Sequence, residues 1–261
     1  MSELALVRLA PDLDRLARAA AAHGLIGAGG DFGYALHAAL AAGFGDMAPK
    51  PFLLRADIER SEVLGYARAD PAELRATARL PAIGLADLIE PLRLEDIEVR
   101  ELPVDWAAGR RLDFETRVRP VVRTRLQGRH GPTRERDAFL EALDNQEPPP
   151  TAAPPHRGWP FRENIYTQWL ARELGRGNAA RLEVAKLVTF RRTRVLRRPV
   201  RPGEGRRRIE SEGPDAVLRG RLQIEDGAGF GELLRRGIGR HRAFGFGMLL
   251  LVPSGRLIHG Q

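Results

Sequence analysis

Tyr34 and His37 are the two side chains of this sequence best placed to do chemistry together. They lie three residues apart in a stretch whose Leu36 and Leu40 repeat at helical spacing, so phenol and imidazole share one helix face. Imidazole titrates near neutrality and can take up or release a proton during a reaction. A surface histidine beside a packing aromatic fits the same spacing, so the pair alone names no activity. A second stretch, Gly237-Ile238-Gly239-Arg240-His241-Arg242-Ala243-Phe244-Gly245-Phe246-Gly247, sets four glycines around three cationic or titratable side chains. Glycine lets a backbone approach a ligand closely, and the cations suit a polyanion. A helix cap followed by a loop and a buried strand accounts for these glycines equally well.

The elements around these residues narrow the choice. Phe230, Leu233 and Leu234 at i, i+3, i+4 predict a short helix just before the glycines. Dinucleotide-binding and triphosphate-binding loops require strand, glycines and helix in that order, so both are excluded. Residues 4–10 read as a first strand, 12–22 as helix and the glycine-rich 24–33 as a loop, with Asp31 capping a helix over 33–42. Strands are expected over 51–57 and 61–68, helical pieces over 71–79 and 83–91, and a weakly alternating segment over 94–102. Leu112, Phe114, Thr116 and Val118 alternate with charged residues, the best strand signal of the first half, in a stretch spanning 111–123.

Further on, 132–143 is expected to be helical, and six prolines within 145–160 mark an extended connector. A helix follows over 162–174, then an alternating strand over 182–196. Nine arginines crowd residues 191–208, interrupted by Pro199, Pro202, Gly203 and Gly205, which predicts a hairpin with a charged tip. Strands over 217–224 and 246–252 complete the chain. The order of elements predicts an α+β fold of two tandem ferredoxin-like (RRM-like) domains with antiparallel sheets. The first would span 1–130 and carry the Tyr34/His37 helix. A helical and Pro-rich connector would span 131–178, and the second domain 179–261.

Lys+Arg number 42 against Asp+Glu 34 in 261 residues, a net charge of +8. Only Lys50 and Lys186 are lysines, so forty of the cations are arginines. Their planar forks suit phosphate, although genomic base composition also enriches arginine. With no cysteine, a disulfide framework, a thiolate metal site and a cysteine nucleophile are excluded. The N-terminus lacks a signal-peptide pattern and no stretch approaches the ~20 apolar residues of a membrane span. A cytoplasmic location with no membrane partner is expected.

Taken together, these features resemble the CRISPR repeat-processing endoribonucleases of the CasE type, members of the RAMP superfamily that cut RNA within type I-E surveillance complexes (Cascade). The resemblance rests on the glycine stretch with its leucine-rich final strand, on Tyr34-Ala35-Leu36-His37 in a helix placed after a first strand, and on the strand and basic hairpin of 182–208. It implies metal-independent cleavage of precursor RNA at a repeat stem-loop. A ribose 2′-OH would attack the adjacent phosphate, leaving a 2′,3′-cyclic phosphate and a 5′-hydroxyl. The product would be kept within the larger complex, and no cofactor is called for.

Under that resemblance His37 is the catalytic candidate, with Tyr34 orienting the phosphate or ribose and His23, just before the glycine loop, as second choice. Arg240 or Arg242 would stabilise the transition-state charge. RNA contacts are expected from Arg191, Arg192, Arg194, Arg197, Arg198, Arg206, Arg207 and Arg208 on the hairpin. On the glycine loop they are expected from Gly237, Gly239, Arg240, His241, Arg242, Gly245 and Gly247. A non-catalytic RNA-binding scaffold of the same superfamily, or a general duplex binder, would share these features without cutting.

Overall fold

The computed structural model describes residues 4–27, 29–56, 60–80, 85–125, 133–145, 159–197 and 209–252. Two four-stranded antiparallel sheets organise the chain. The first holds β1 (Leu4–Leu9), β2 (Phe52–Ala56), β3 (Ser61–Arg68) and β4 (Glu98–Glu101) in the order β2-β3-β1-β4. The second holds β5 (Arg111–Val118), β8 (Ala180–Arg197), β9 (Ile209–Ile224) and β10 (Leu249–Val252) in the order β10-β5-β9-β8. Counted within each sheet, both read 4-1-3-2, the order of a ferredoxin-like fold. Between them β6 (Val121–Arg125) and β7 (Thr133–Asp137) form a separate two-stranded ribbon.

The helices are α1 (Leu13–Ala22), α2 (Gly33–Phe44), α3 (Pro71–Ala78), α4 (Ala86–Ile89), α5 (Ala138–Asp144), α6 (Trp159–Leu174) and α7 (Gly227–Arg236). On the first sheet, Ala5, Val7 and Leu9 of β1 join Val63 and Ala67 of β3 under Leu16 of α1, Leu36 and Leu40 of α2 and Leu74 of α3. Leu4, Leu53, Leu64 and Tyr66 point to the other face of that sheet and belong to a second core. That core holds Phe114, Leu218 and Leu222 of the second sheet, Trp169 and Leu170 of α6 and Leu233 of α7. The first sheet is therefore buried on both faces, which explains the nearly unbroken apolar run of β1.

Some expectations change. β5 was expected in the first domain, but its hydrogen bonds place it between β9 and β10, so the sheets change over between β4 and β5. Its alternating pattern identifies a half-buried strand and carries no address for its partner. Residues 133–137, expected within a helix, form β7 instead. That segment, Thr-Arg-Glu-Arg-Asp, has no apolar stripe to seat a helix, and Asp137 starts α5 by accepting from the Phe139 N–H at 2.9 Å. The last strand begins at Leu249 rather than 246, because the Ile238 N–H bonds the Gly247 carbonyl and keeps that residue in the loop. Most of the Pro-rich connector and the hairpin tip lie outside the described residues.

The two sheets are tied by a buried hydrogen bond from the Tyr66 hydroxyl to the Leu249 carbonyl, 2.8 Å long. Replacing Tyr66 with Phe should remove this tie with little change of shape and cost about 1 kcal/mol, read as a lowered midpoint in chemical denaturation.

Candidate active site

The catalytic candidates sit where α2 meets the glycine loop. Gly33 opens α2, and a Cβ there would run into the Phe244 carbonyl oxygen, so glycine lets the helix start and the loop touch. Asp31 accepts from the Gly33 N–H at 2.8 Å, binding the first helical residue from two positions upstream. A short 3-10 turn, Arg242–Phe244, then lays the Phe244 ring against both of the side chains in question. Phe244 stacks on Tyr34, with centroids 6.0 Å apart and planes at 21°, and meets His37 edge-on at 5.5 Å. Tyr34 and His37 are themselves 6.3 Å apart, centroid to centroid, and both are half-buried. The expected pairing on one face is present, with an aromatic wall that comes from the far end of the chain.

Burial of His37, and then the positive charge of Lys50, hold its imidazole below the usual value. At neutral pH the ring is neutral and able to accept a proton.

The Arg117 guanidinium fixes this arrangement. It makes two hydrogen bonds to the Asp215 carboxylate of β9, at 2.8 and 2.7 Å, and reaches Asp31 at 3.3 Å. It also lies over the Phe246 ring at 4.3 Å, while the Arg117 carbonyl accepts from the Gly247 N–H. Burial opposes ionisation of Asp215, yet its bonds to Arg117 and Arg191 hold its pKa below the usual carboxylate value. One β5 residue thus joins the loop before α2, the second sheet and the glycine loop.

Residues 6–253 match the family model described as CRISPR associated protein. The chain belongs to that family. Its fold is similar to CRISPR endoribonuclease Cse3 bound to 19 nt RNA, with TM-score 0.60 and 18% identity over 96% of this chain and 100% of that one. Thermus thermophilus Cse3, bound to an RNA representing a pre-cleavage complex, gives TM-score 0.56 at 18% identity, covering 96% and 100%. Cas6e from Escherichia coli K-12 gives 0.51 at 19%, covering 96% and 98%. No curated protein is detectably similar in sequence.

The other expected site residues divide into groups. Gly237, Gly239 and Gly247 turn their open side towards the protein: a Cβ at Gly239 would press on the Trp169 ring, and one at Gly247 on the Ile238 carbonyl oxygen. At Gly245, with φ of 80°, a Cβ would find only ordinary contact with Phe52. His241 is buried and its Nε2 lies 3.0 Å from Glu135 of β7; Arg240 forms an ion pair with the same carboxylate at 2.6 Å. Both therefore anchor the loop to the β6–β7 ribbon. Arg242 donates to the Arg236 carbonyl and faces a cavity of about 330 Å3.

Along the long β8–β9 arm, Arg191 meets Asp215 at 2.9 Å, and Arg192 and Arg194 meet Glu212 at 3.0 and 3.5 Å. All three arginines remain exposed. The Arg197 side chain and Arg198, Arg206, Arg207 and Arg208 lie outside the described residues. His23 ends α1 and pairs with Asp87 of α4 at 2.8 Å, so its partner is not the α2 pair. Among the described residues no group of three or more His, Asp or Glu side chains is arranged to hold a metal.

Sequence reading missed Lys50, Phe244, Glu135 and the Arg117–Asp31–Asp215 bridge as parts of the site. Lys50 carried one faint signal, being one of two lysines in an arginine-dominated chain.

Two outcomes follow from this geometry. In an NMR titration His37 should show a midpoint below about 6.5. Lys50→Gln should raise it by only the smaller part of the shift, since burial is the leading cause. Arg117→Ala should leave the buried Asp215 carboxylate with Arg191 as its remaining ion-pair partner among the described residues and cost about 2 kcal/mol in denaturant unfolding, with Asp215→Ala/Arg117→Ala costing less than the sum of the single changes.

Proposed function

We propose that this protein is a metal-independent endoribonuclease that binds the stem-loop of CRISPR repeat RNA and cuts the precursor transcript into guide RNAs. The observation that carries the reading is the Tyr34–Phe244–His37 cluster at the junction of two ferredoxin-like units, in a chain of the CRISPR-associated family whose fold is similar to RNA-bound Cse3. His37, kept neutral by burial, takes the proton of a ribose 2′-OH. The O2′ attacks the adjacent phosphorus, the P–O5′ bond breaks, the departing 5′ oxygen takes a proton from water, and the hydroxide so formed takes up the proton held by His37, which returns the imidazole to its neutral form. The products are a 2′,3′-cyclic phosphate and a 5′-hydroxyl. Tyr34 orients the ribose or phosphate from the same helix face.

Recognition follows from the arm and the loop. An RNA stem has a deep, narrow major groove and is read mainly by shape and phosphate position. The exposed Arg191, Arg192 and Arg194 lie along one strand, and their ion pairs with Asp215 and Glu212 hold them extended. Exposed pairs of this kind contribute little, so the pairs with Glu212 are easily exchanged for phosphate. The cleaved RNA stays bound, and the protein joins a type I-E surveillance complex with it.

Incubating a repeat stem-loop RNA in EDTA tests the reading. Wild type should cut it once, and His37→Ala should cut at least about 100-fold more slowly while binding normally. Below neutrality the single-turnover rate should climb with pH through the depressed His37 pKa and then level off. Tight binding with intact RNA from wild type would instead identify a non-catalytic scaffold, and equal cutting by His37→Ala would remove His37 from the mechanism.

A further inference from the structure

The cavity of about 330 Å3 that Arg242 faces is lined by an unbalanced set of charges. Lys50 precedes β2, Arg68 ends β3, Arg235 and Arg236 end α7, and Arg242 opens the 3-10 turn; Asp46 is the lone carboxylate lining the same space. Some of these cations have partners within the chain. Arg235 pairs with Glu232 at 2.9 Å, Arg236 reaches the Glu173 carbonyl at 3.4 Å, and Arg242 donates to the Arg236 carbonyl. Lys50 and Arg68 are exposed, and neither has an ion pair with a described residue.

Crowding like charges into one recess costs free energy unless a counter-charge enters. Arg236 is held below the ordinary guanidinium value, first by burial and then by the nearby charges of Arg176 and Arg242, with Glu173 and Glu232 opposing. Guanidinium and ammonium groups reach this recess from four separate segments. Such converging donors suit a tetrahedral oxyanion, whose oxygens accept from several directions, better than a planar carboxylate. Lys50 lines this recess, and its positive charge also helps to hold the His37 imidazole below its usual value, so an anion held here shares an electrostatic neighbour with the candidate base.

We infer that this cavity binds a backbone phosphate of the RNA neighbouring the one cut at His37, with Lys50 and Arg68 as its open cationic contacts. The inference rests on the endoribonuclease reading for the identity of the ligand. It assigns a binding role to four residues outside the glycine loop and the arginine arm: Lys50, Arg68, Arg235 and Arg236. Its counter-charge is supplied by the substrate.

The test is RNA binding in the His37→Ala background, where the RNA stays intact, across a potassium chloride series. Arg68→Ala, and Lys50→Ala with Arg68→Ala, should weaken binding and flatten the log–log salt slope by roughly 0.7–0.9 for the one lost phosphate contact. Lys50→Arg, which keeps the charge, should retain the parental slope. Both side chains are exposed, and an unchanged unfolding midpoint confirms that the variants are folded. Parental affinity and slope in the double variant, from a protein that still cuts when His37 is present, would overturn the phosphate site and leave the endoribonuclease reading standing. A flattened slope from a protein that never cuts would do the reverse. Inorganic phosphate serves as a second probe: tight binding of the free anion, lost on Arg68→Ala while the RNA slope is unchanged, would assign the cavity to a free anion and overturn the inference.

Discussion

The arrangement of the site depends on one buried guanidinium. Arg117 lies on the polar face of β5, where little water reaches it, and a charge in that position is tolerated only when its hydrogen bonds are met. Asp215 meets two of them and Asp31 a third. Asp31 in turn binds the first N–H of α2, so the demand of one charge for partners sets where the helix carrying Tyr34 and His37 begins. The Arg117 backbone carbonyl holds Gly247, and the ring of Phe246 lies under the guanidinium. A site assembled from residues about two hundred positions apart is thereby held by a residue roughly midway along the chain.

The glycine loop takes on a different character in the folded protein. Its glycines make room for Trp169, for the Ile238 carbonyl and for turns of positive φ, and its His241 and Arg240 are spent on Glu135. These features serve to carry Phe244 to the face of α2 and Arg242 to the basic cavity. The loop holds those two side chains in place, with backbone conformations that only small residues accommodate cheaply.

Charge is handled in a consistent way over the second sheet. Asp113, Glu115 and Asp215 are buried carboxylates on β5 and β9, and Arg221, Arg219, Arg55, Arg117 and Arg191 reach over them. Each carboxylate holds its arginine in a defined orientation, so the surplus of arginine forms an ordered layer along this face. The recess around Lys50 departs from that pattern, since its cations outnumber the carboxylates available to them.

Local physics made much of this protein legible in its sequence. Alternation at period two identified β5, β8 and β9, helical spacing identified α2 and α7, and the i, i+3 relation of Tyr34 and His37 placed both on one face, because each of these patterns is written within a few residues. The charge balance and the arginine arm were equally plain. Pairing between distant elements has no such local signature. The transfer of β5 to the second sheet, the strand at 133–137, the hydrogen-bond bridge of Arg117, and the meeting of Phe244 with Tyr34 and His37 were decided by burial and by the need of buried charges for partners. Those requirements are met only when segments far apart in sequence come together.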